Sequence, residues 1–219
     1  MSGETDDRIC PLCEAGHAAL FYRDGRDYFR CHACELVFVL PHAFLSRDQE
    51  KATYDHHQNS PDDPQYRRFL DRLFSPLSRR LAPGSRGLDF GSGPGPTLSI
   101  MFEEAGHSMA IYDPFYAPGT APLQQEYHFV AASEVVEHLH HPRRDLERIW
   151  ACLKSGGVLG IMTKRRIDDR DFSTWHYKND PTHVCFFSMD TFRWLADHWN
   201  ATLVAPDQDV VLLIRTAER

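Results

Sequence analysis

No run of about 18 or more apolar residues occurs in the 219-residue chain, so no membrane-spanning helix is expected. Positive charge is scarce as well. Lysine and arginine number 24 against 31 aspartates and glutamates, a formal net charge of −7 with histidine neutral. That balance disfavours a nucleic-acid partner. The sequence shows no internal repeat and no low-complexity tract. It starts Met1-Ser2-Gly3-Glu4-Thr5-Asp6-Asp7, polar and acidic, the opposite of a secretory leader. A cytoplasmic protein is therefore expected, in which six cysteines would not pair as disulfides. The dinucleotide fingerprint G-x-G-x-x-G is also missing, because Pro96 stands where its third glycine would fall.

What is present centres on Gly87-Leu88-Asp89-Phe90-Gly91-Ser92-Gly93-Pro94-Gly95-Pro96. A buried run ending in an acid enters a loop with glycines at alternate positions, and a helical stretch, 97–105, follows. Strand, glycine loop and helix start together bring backbone close to a ligand and aim free N–H groups at it. The apolar stretch 108–112 ends at Asp113, where an acid can accept both hydroxyls of a ribose. Residues 129–132 read as a buried strand leading into Ser133-Glu134-Val135-Val136-Glu137-His138. Leu146, Ile149, Trp150 and Leu153 stand at helical spacing, with a helix stop at Ser155-Gly156-Gly157 and a further strand over 158–162. The fold class is α/β, a doubly wound sheet binding a nucleoside-like ligand at its switch point.

Leu88-Asp89-Phe90-Gly91-Ser92-Gly93-Pro94-Gly95 resembles the first motif of class I S-adenosylmethionine (SAM)-dependent methyltransferases. Glu134-Val135-Val136-Glu137-His138-Leu139, and Leu153-Lys154-Ser155-Gly156-Gly157 before a strand, are similar to later motifs of their ubiquinone-biosynthesis-like branch. The resemblance runs from Arg79 to the C-terminus and implies a Rossmann-like sheet with SAM as cofactor. It also implies that Asp89 orients the methionine amine through water while Gly91, Gly93 and Gly95 pass close to that moiety. Asp113 would hold the ribose, Pro114 and Phe115 would pack on the adenine, and Glu134 would complete the cofactor set. One departure is visible. Only about 15 residues link Asp113 to His128, where a crossover helix and third strand normally fit, and Ala117-Pro118-Gly119-Thr120-Ala121-Pro122 cannot be that helix. The sheet edge after the second strand should be shortened, with Gln124 or Gln125 standing in for the usual adenine ligand.

Cys10-Pro11-Leu12-Cys13 and Cys31-His32-Ala33-Cys34 are two C-x-x-C pairs about 17 residues apart, the spacing of a four-thiolate zinc site. Asp24-Gly25-Arg26-Asp27 between them is a hairpin signal. Residues 1–42 then form a zinc ribbon, 43–82 a linker and capping helix, and 83–219 the cofactor-binding domain. Four thiolates leave no open position, so the metal is structural. The ribbon could dock a partner, cap the cleft or hold a homodimer. Ser60 before Pro61 marks a helix start, with Tyr66, Phe69, Leu70, Leu73 and Phe74 in helical period.

Acceptor-side candidates come from three stretches. Tyr54, His57 and Asn59 precede the capping helix and belong either to a lid or to a solvated loop. His138 opens the loop after the third motif, where it serves as a general base or caps structure. The segment 172–184, rich in aromatics and histidine, offers Trp175, Tyr177 and Asp180 to a substrate and His183 to a proton. The expected reaction is in-line methyl transfer from SAM to a small or medium-sized acceptor, a hydroxyl favoured, with His138, His183 or His57 as base. Two rivals remain. An RNA methyltransferase gripping its substrate with the ribbon would want a basic face and an N-P-P-Y or catalytic-cysteine signature, and the sequence has neither. A non-catalytic SAM-binding or zinc-scaffold module would fit the shortened edge.

Overall fold

The computed structural model describes residues 8–56, 59–167 and 172–217. Its larger sheet has the order β5-β4-β6-β7-β10-β9. Strands β4 (Arg86–Phe90), β5 (Ser108–Tyr112), β6 (Tyr127–Ser133) and β7 (Leu153–Met162) run parallel. β9 (Ala201–Asp207) and β10 (Val210–Arg215) add an antiparallel pair, β10 lying against β7. Residues of β6 alternate between two cores. Phe129 and Ala131 face α2 (Pro64–Ser78) and α3 (Thr97–Glu104), while Val130 and Ala132 face α4 (Pro142–Ala151) and α5 (Met189–His198). Helices on both faces make the sheet doubly wound. Glycine sets one close approach: a Cβ on Gly160 would come within 2.9 Å of Leu77, so α2 can lie directly on β7.

Several local expectations move. α2 begins at Pro64 and not at Pro61, because the Asp63 carboxylate accepts from the Gln65 N–H and so caps the helix there. α4 ends at Ala151, and Leu153 through Gly157 already belong to β7; the apolar period carried on across the boundary because Leu153 is buried by the same core. Pro142 is buried at the first turn of α4. An additional helix, α1 (Arg47–Tyr54), stands where a polar stretch was expected, closed by a Ser46–Gln49 capping box. After Asp113 the chain makes a bridge to Ala117 and a single 3-10 turn at Ala121–Gln124 before β6, so β5 is the sheet edge.

The N-terminal hairpin is β1 (Ala19–Asp24) against β2 (Arg26–Arg30), reversed at Gly25. β3 (Val37–Val39) pairs with β2, stops before Pro41, and takes a two-residue strand, β8 (Cys185–Phe186), on its other side. This small N-terminal sheet thus includes chain from the far end of the sequence. Phe172, Tyr28 and Phe186 pack edge-to-face at its centre.

Candidate active site

A cleft of about 630 Å³ opens over the C-terminal ends of β4, β5 and β6, the place where open α/β sheets bind ligands. One end is built from backbone. Gly91 and Gly93 adopt left-handed conformations, φ 77° and 64°, and a Cβ on Gly91 would sit 2.5 Å from Val135. The Gly93 N–H donates to Asp113 Oδ2 at 2.9 Å, while the Phe115 and Tyr116 N–H groups donate to Oδ1 at 2.8 and 2.9 Å. Each carboxylate oxygen accepts about two hydrogen bonds. Oδ1 is therefore filled and Oδ2 keeps room for one further donor.

Pro114 and Phe115 line this end, and α1 reaches across to it. Arg47 donates to the Pro114 carbonyl at 2.8 Å with its guanidinium 4.7 Å over the Phe115 ring, and the Tyr116 hydroxyl bonds Asp55 at 2.7 Å. Glu134 sits between the two ends in a left-handed conformation, φ 52°, its N–H donating to Met162. Burial and the nearby Glu137 charge raise its carboxyl to about 8.

Two members of the expected cofactor set lie elsewhere. Asp89 is buried beneath the loop, where Ser99 donates to it at 3.0 Å and burial raises its pKa to about 7. Gly95 packs under the chain before α2: a Cβ there would fall 2.0 Å from the Asn59 carbonyl oxygen. Asn59 itself lines the cleft.

The other end is built from side chains. Tyr54, on α1, donates to Glu50 at 2.9 Å and stands edge-on to His138, ring centroids 5.3 Å apart. His138 and His183 are 4.7 Å apart in the same sense. Nδ1 of His138 meets the Thr182 carbonyl at 3.2 Å, and Nδ1 of His183 meets the Tyr177 carbonyl at 2.7 Å. A carbonyl only accepts, so both Nδ1 atoms carry the hydrogen, and in the neutral rings Nε2 is a proton acceptor or a metal ligand. Burial, then the neighbouring His138, lowers the His183 pKa. Asp180, also lining the cleft, is pushed up by burial but held below its ordinary value overall by the Thr182 hydroxyl and amide.

Tyr177 and Trp175 do not line the cleft. The Tyr177 ring packs 4.1 Å behind His183 and its hydroxyl donates to the fully buried Glu137. Trp175 packs on Phe172, Tyr177 and Phe186, where its indole fills the space beneath the 172–184 loop. His57 lies outside the described residues.

Arg26 reads only as part of the hairpin signal, and nothing in the sequence marks it as a residue of the cleft. Its guanidinium donates to the carbonyls of Lys178, Asp180, Pro181 and His183 at 2.6 to 3.2 Å and holds the loop that presents Asp180 and His183. Tyr28 adds a bond to the Lys178 carbonyl at 3.0 Å. At the far end of the hairpin Cys10, Cys13, Cys31 and Cys34 converge, with Sγ separations of 3.5 Å for Cys10–Cys34 and 3.3 Å for Cys13–Cys31. Four thiolates on one tetrahedral zinc stand about 3.8 Å apart, so the set fits such an ion with little movement.

The profile of a methyltransferase-domain family matches residues 54–205. A search of curated proteins returns no match. Among solved structures the chain is similar to the 1,6-didemethyltoxoflavin-N1-methyltransferase of Burkholderia thailandensis, with bound 1,6-didemethyltoxoflavin and S-adenosylhomocysteine. The identity is 16%, the TM-score 0.56, and the match covers 85% of this chain and 98% of that one. An O-methyltransferase family protein from the same organism is 14% identical with TM-score 0.47, over 78% of this chain and 64% of that one. At such identities the likeness is one of fold. Among the described residues no helix is long and apolar enough to cross a membrane.

Proposed function

This chain belongs to the methyltransferase-domain family and is a SAM-dependent methyltransferase, and we propose that it methylates a hydroxyl on a small-molecule acceptor. The carrying observation is the division of one cleft into a backbone cradle at Gly91, Gly93 and Asp113 and an imidazole pair at His138 and His183. When bound, SAM supplies an electrophilic methyl: the C–S bond breaks as the C–O bond forms, giving a thioether and a methyl ether, with the hydroxyl proton released.

The chain's own part is placement. Gly93 and Asp113 hold the nucleoside, Phe115 lies beside it, and Glu134 faces the methionine portion. The ring of Tyr54 stands 5.6 Å from Phe115 and 5.3 Å from His138, so it spans the cradle and the acceptor end. His138, Asp180 and His183 receive the acceptor and ease ionisation of its oxygen. Alignment of the reacting atoms about 3–3.5 Å apart supplies most of the rate. At the ribbon, the two C-x-x-C pairs and their convergence support a structural zinc ion that supplies folding energy to a unit too small to fold on its core alone.

The test is calorimetric titration with S-adenosylhomocysteine, wild type against Asp113→Ala, followed by mass analysis of hydroxylated, amine and carbon acceptors incubated with SAM. Micromolar binding lost in the variant, with a methyl ether as product, is the expected result. Absence of binding sinks the cofactor assignment; methylation at nitrogen or carbon sinks the hydroxyl one.

A further inference from the structure

The floor of the acceptor end gathers Glu137, His138 and His183, whose ligand atoms lie within 4.8 Å of one another. Each histidine has its Nδ1–H tied to a backbone carbonyl, Thr182 for His138 and Tyr177 for His183. This is how metal-ligating histidines are usually oriented, with Nε2 as the ligand atom. Glu137 is 0% exposed, and its side-chain partners are hydroxyls: Tyr177 on one oxygen, Thr163 at 2.9 Å on the other. Glu134 brings a second carboxylate within 3.3 Å of the same Tyr177 hydroxyl.

From this geometry we propose that Glu137, His138 and His183 bind a divalent first-row transition-metal ion in the cleft, distinct from the four-cysteine site. Two imidazoles and one carboxylate suit such an ion better than calcium, and three protein ligands leave positions open. Drawing the donors from 4.8 Å to the roughly 3–4 Å of a shared ion needs a small closure.

The inference deepens, and for its chemical role rests on, the assignment of this end to the acceptor. An acceptor hydroxyl in an open position ionises more readily, its proton passing to water, and then attacks the methyl group. The acceptors favoured are those whose hydroxyl lies next to a second oxygen, as in a vicinal diol, because both can chelate.

The test is titration with Mn²⁺, followed by electron paramagnetic resonance, of the full-length chain carrying one zinc per chain, enough for the thiolates alone, with the cleft first cleared by a weak chelator. Manganese stands lowest in the divalent affinity order and leaves zinc on the thiolates. The expected result is one bound Mn²⁺ per chain, weakened at least about tenfold by His138→Gln and by Glu137→Gln, with S-adenosylhomocysteine binding kept. His138→Gln sits at the cleft surface and serves if the buried Glu137→Gln variant does not fold. Manganese that stays free with the wild type, or binds His138→Gln as well as wild type, overturns the site. The signal requires no methyl transfer: manganese bound without S-adenosylhomocysteine affinity would separate failure of the enzyme reading from failure of this one.

Discussion

The two ends of the cleft are made from different material. The cradle is main chain: two left-handed glycines and three N–H groups around Asp113, all on segments that leave adjacent strands of one sheet. The acceptor end is side chain, drawn from α1, the turn after β6 and the loop before β8, and its loop is steadied by Arg26 from the ribbon hairpin. A backbone site tolerates change in distant parts of the molecule. A side-chain site depends on everything that holds its loops.

The largest effect that would sharpen this contrast comes from Cys31→Ser. If the four thiolates hold the proposed structural zinc, its loss removes on the order of 10 kcal/mol of local folding energy. Hydrogen exchange should show β1, β2, β3 and β8 unprotected and methyl transfer gone, with S-adenosylhomocysteine still bound; collapse of that binding would break the contrast. Arg26→Ala is the milder version. Hydrogen bonds from a charged donor contribute about 1.5–3 kcal/mol each. A loop shift near 1 Å costs about 10²-fold in turnover, and the cofactor dissociation constant should stay put.

Asp113→Asn attacks the opposite end. It sets an amide NH₂ against backbone donors, and calorimetry should find S-adenosylhomocysteine bound about tenfold more weakly, with turnover recovering at high SAM. The smallest effect is at Asp89, whose folded pKa of about 7 exceeds its ordinary 3.8 because of burial. The folded chain favours the protonated acid, so that contribution is complete below about pH 4 and is lost as pH rises to about 7. Asp89→Asn should flatten the decline in Tm across that window while leaving S-adenosylhomocysteine binding in place, seen by thermal scans at fixed ionic strength.

The same division decided what could be read beforehand. The cradle comes from two short segments at the ends of adjacent strands, so Gly91, Gly93 and Asp113 could be singled out from their place after apolar runs and from the family resemblance. The acceptor end brings residues 54, 138 and 183 together only after folding. His138 and His183 were nameable because few side chains serve a proton or a metal near neutral pH. α1 went unread because Glu50 is its buried residue and it shows no apolar stripe to betray a helix. Aromatic density pointed at Trp175 and Tyr177, but rings of that size most often fill space, and here they back the His183 ring instead of facing the cleft. β8 spans two residues, too few for any periodic signal.

Val184 ties these regions into one equilibrium. Its carbonyl accepts from Val39 of the ribbon strand at 3.0 Å and its N–H donates to the Glu137 carbonyl at 2.8 Å. Any ligand that fastens the ribbon therefore biases where Glu137 and His183 stand. Free-energy coupling of this kind has no direction. Metal taken up by the thiolates would tighten the cleft's grip on its acceptor, and a filled cleft would raise the thiolates' affinity for metal by the same factor. Substrate supply would then set how long the ribbon keeps its ion.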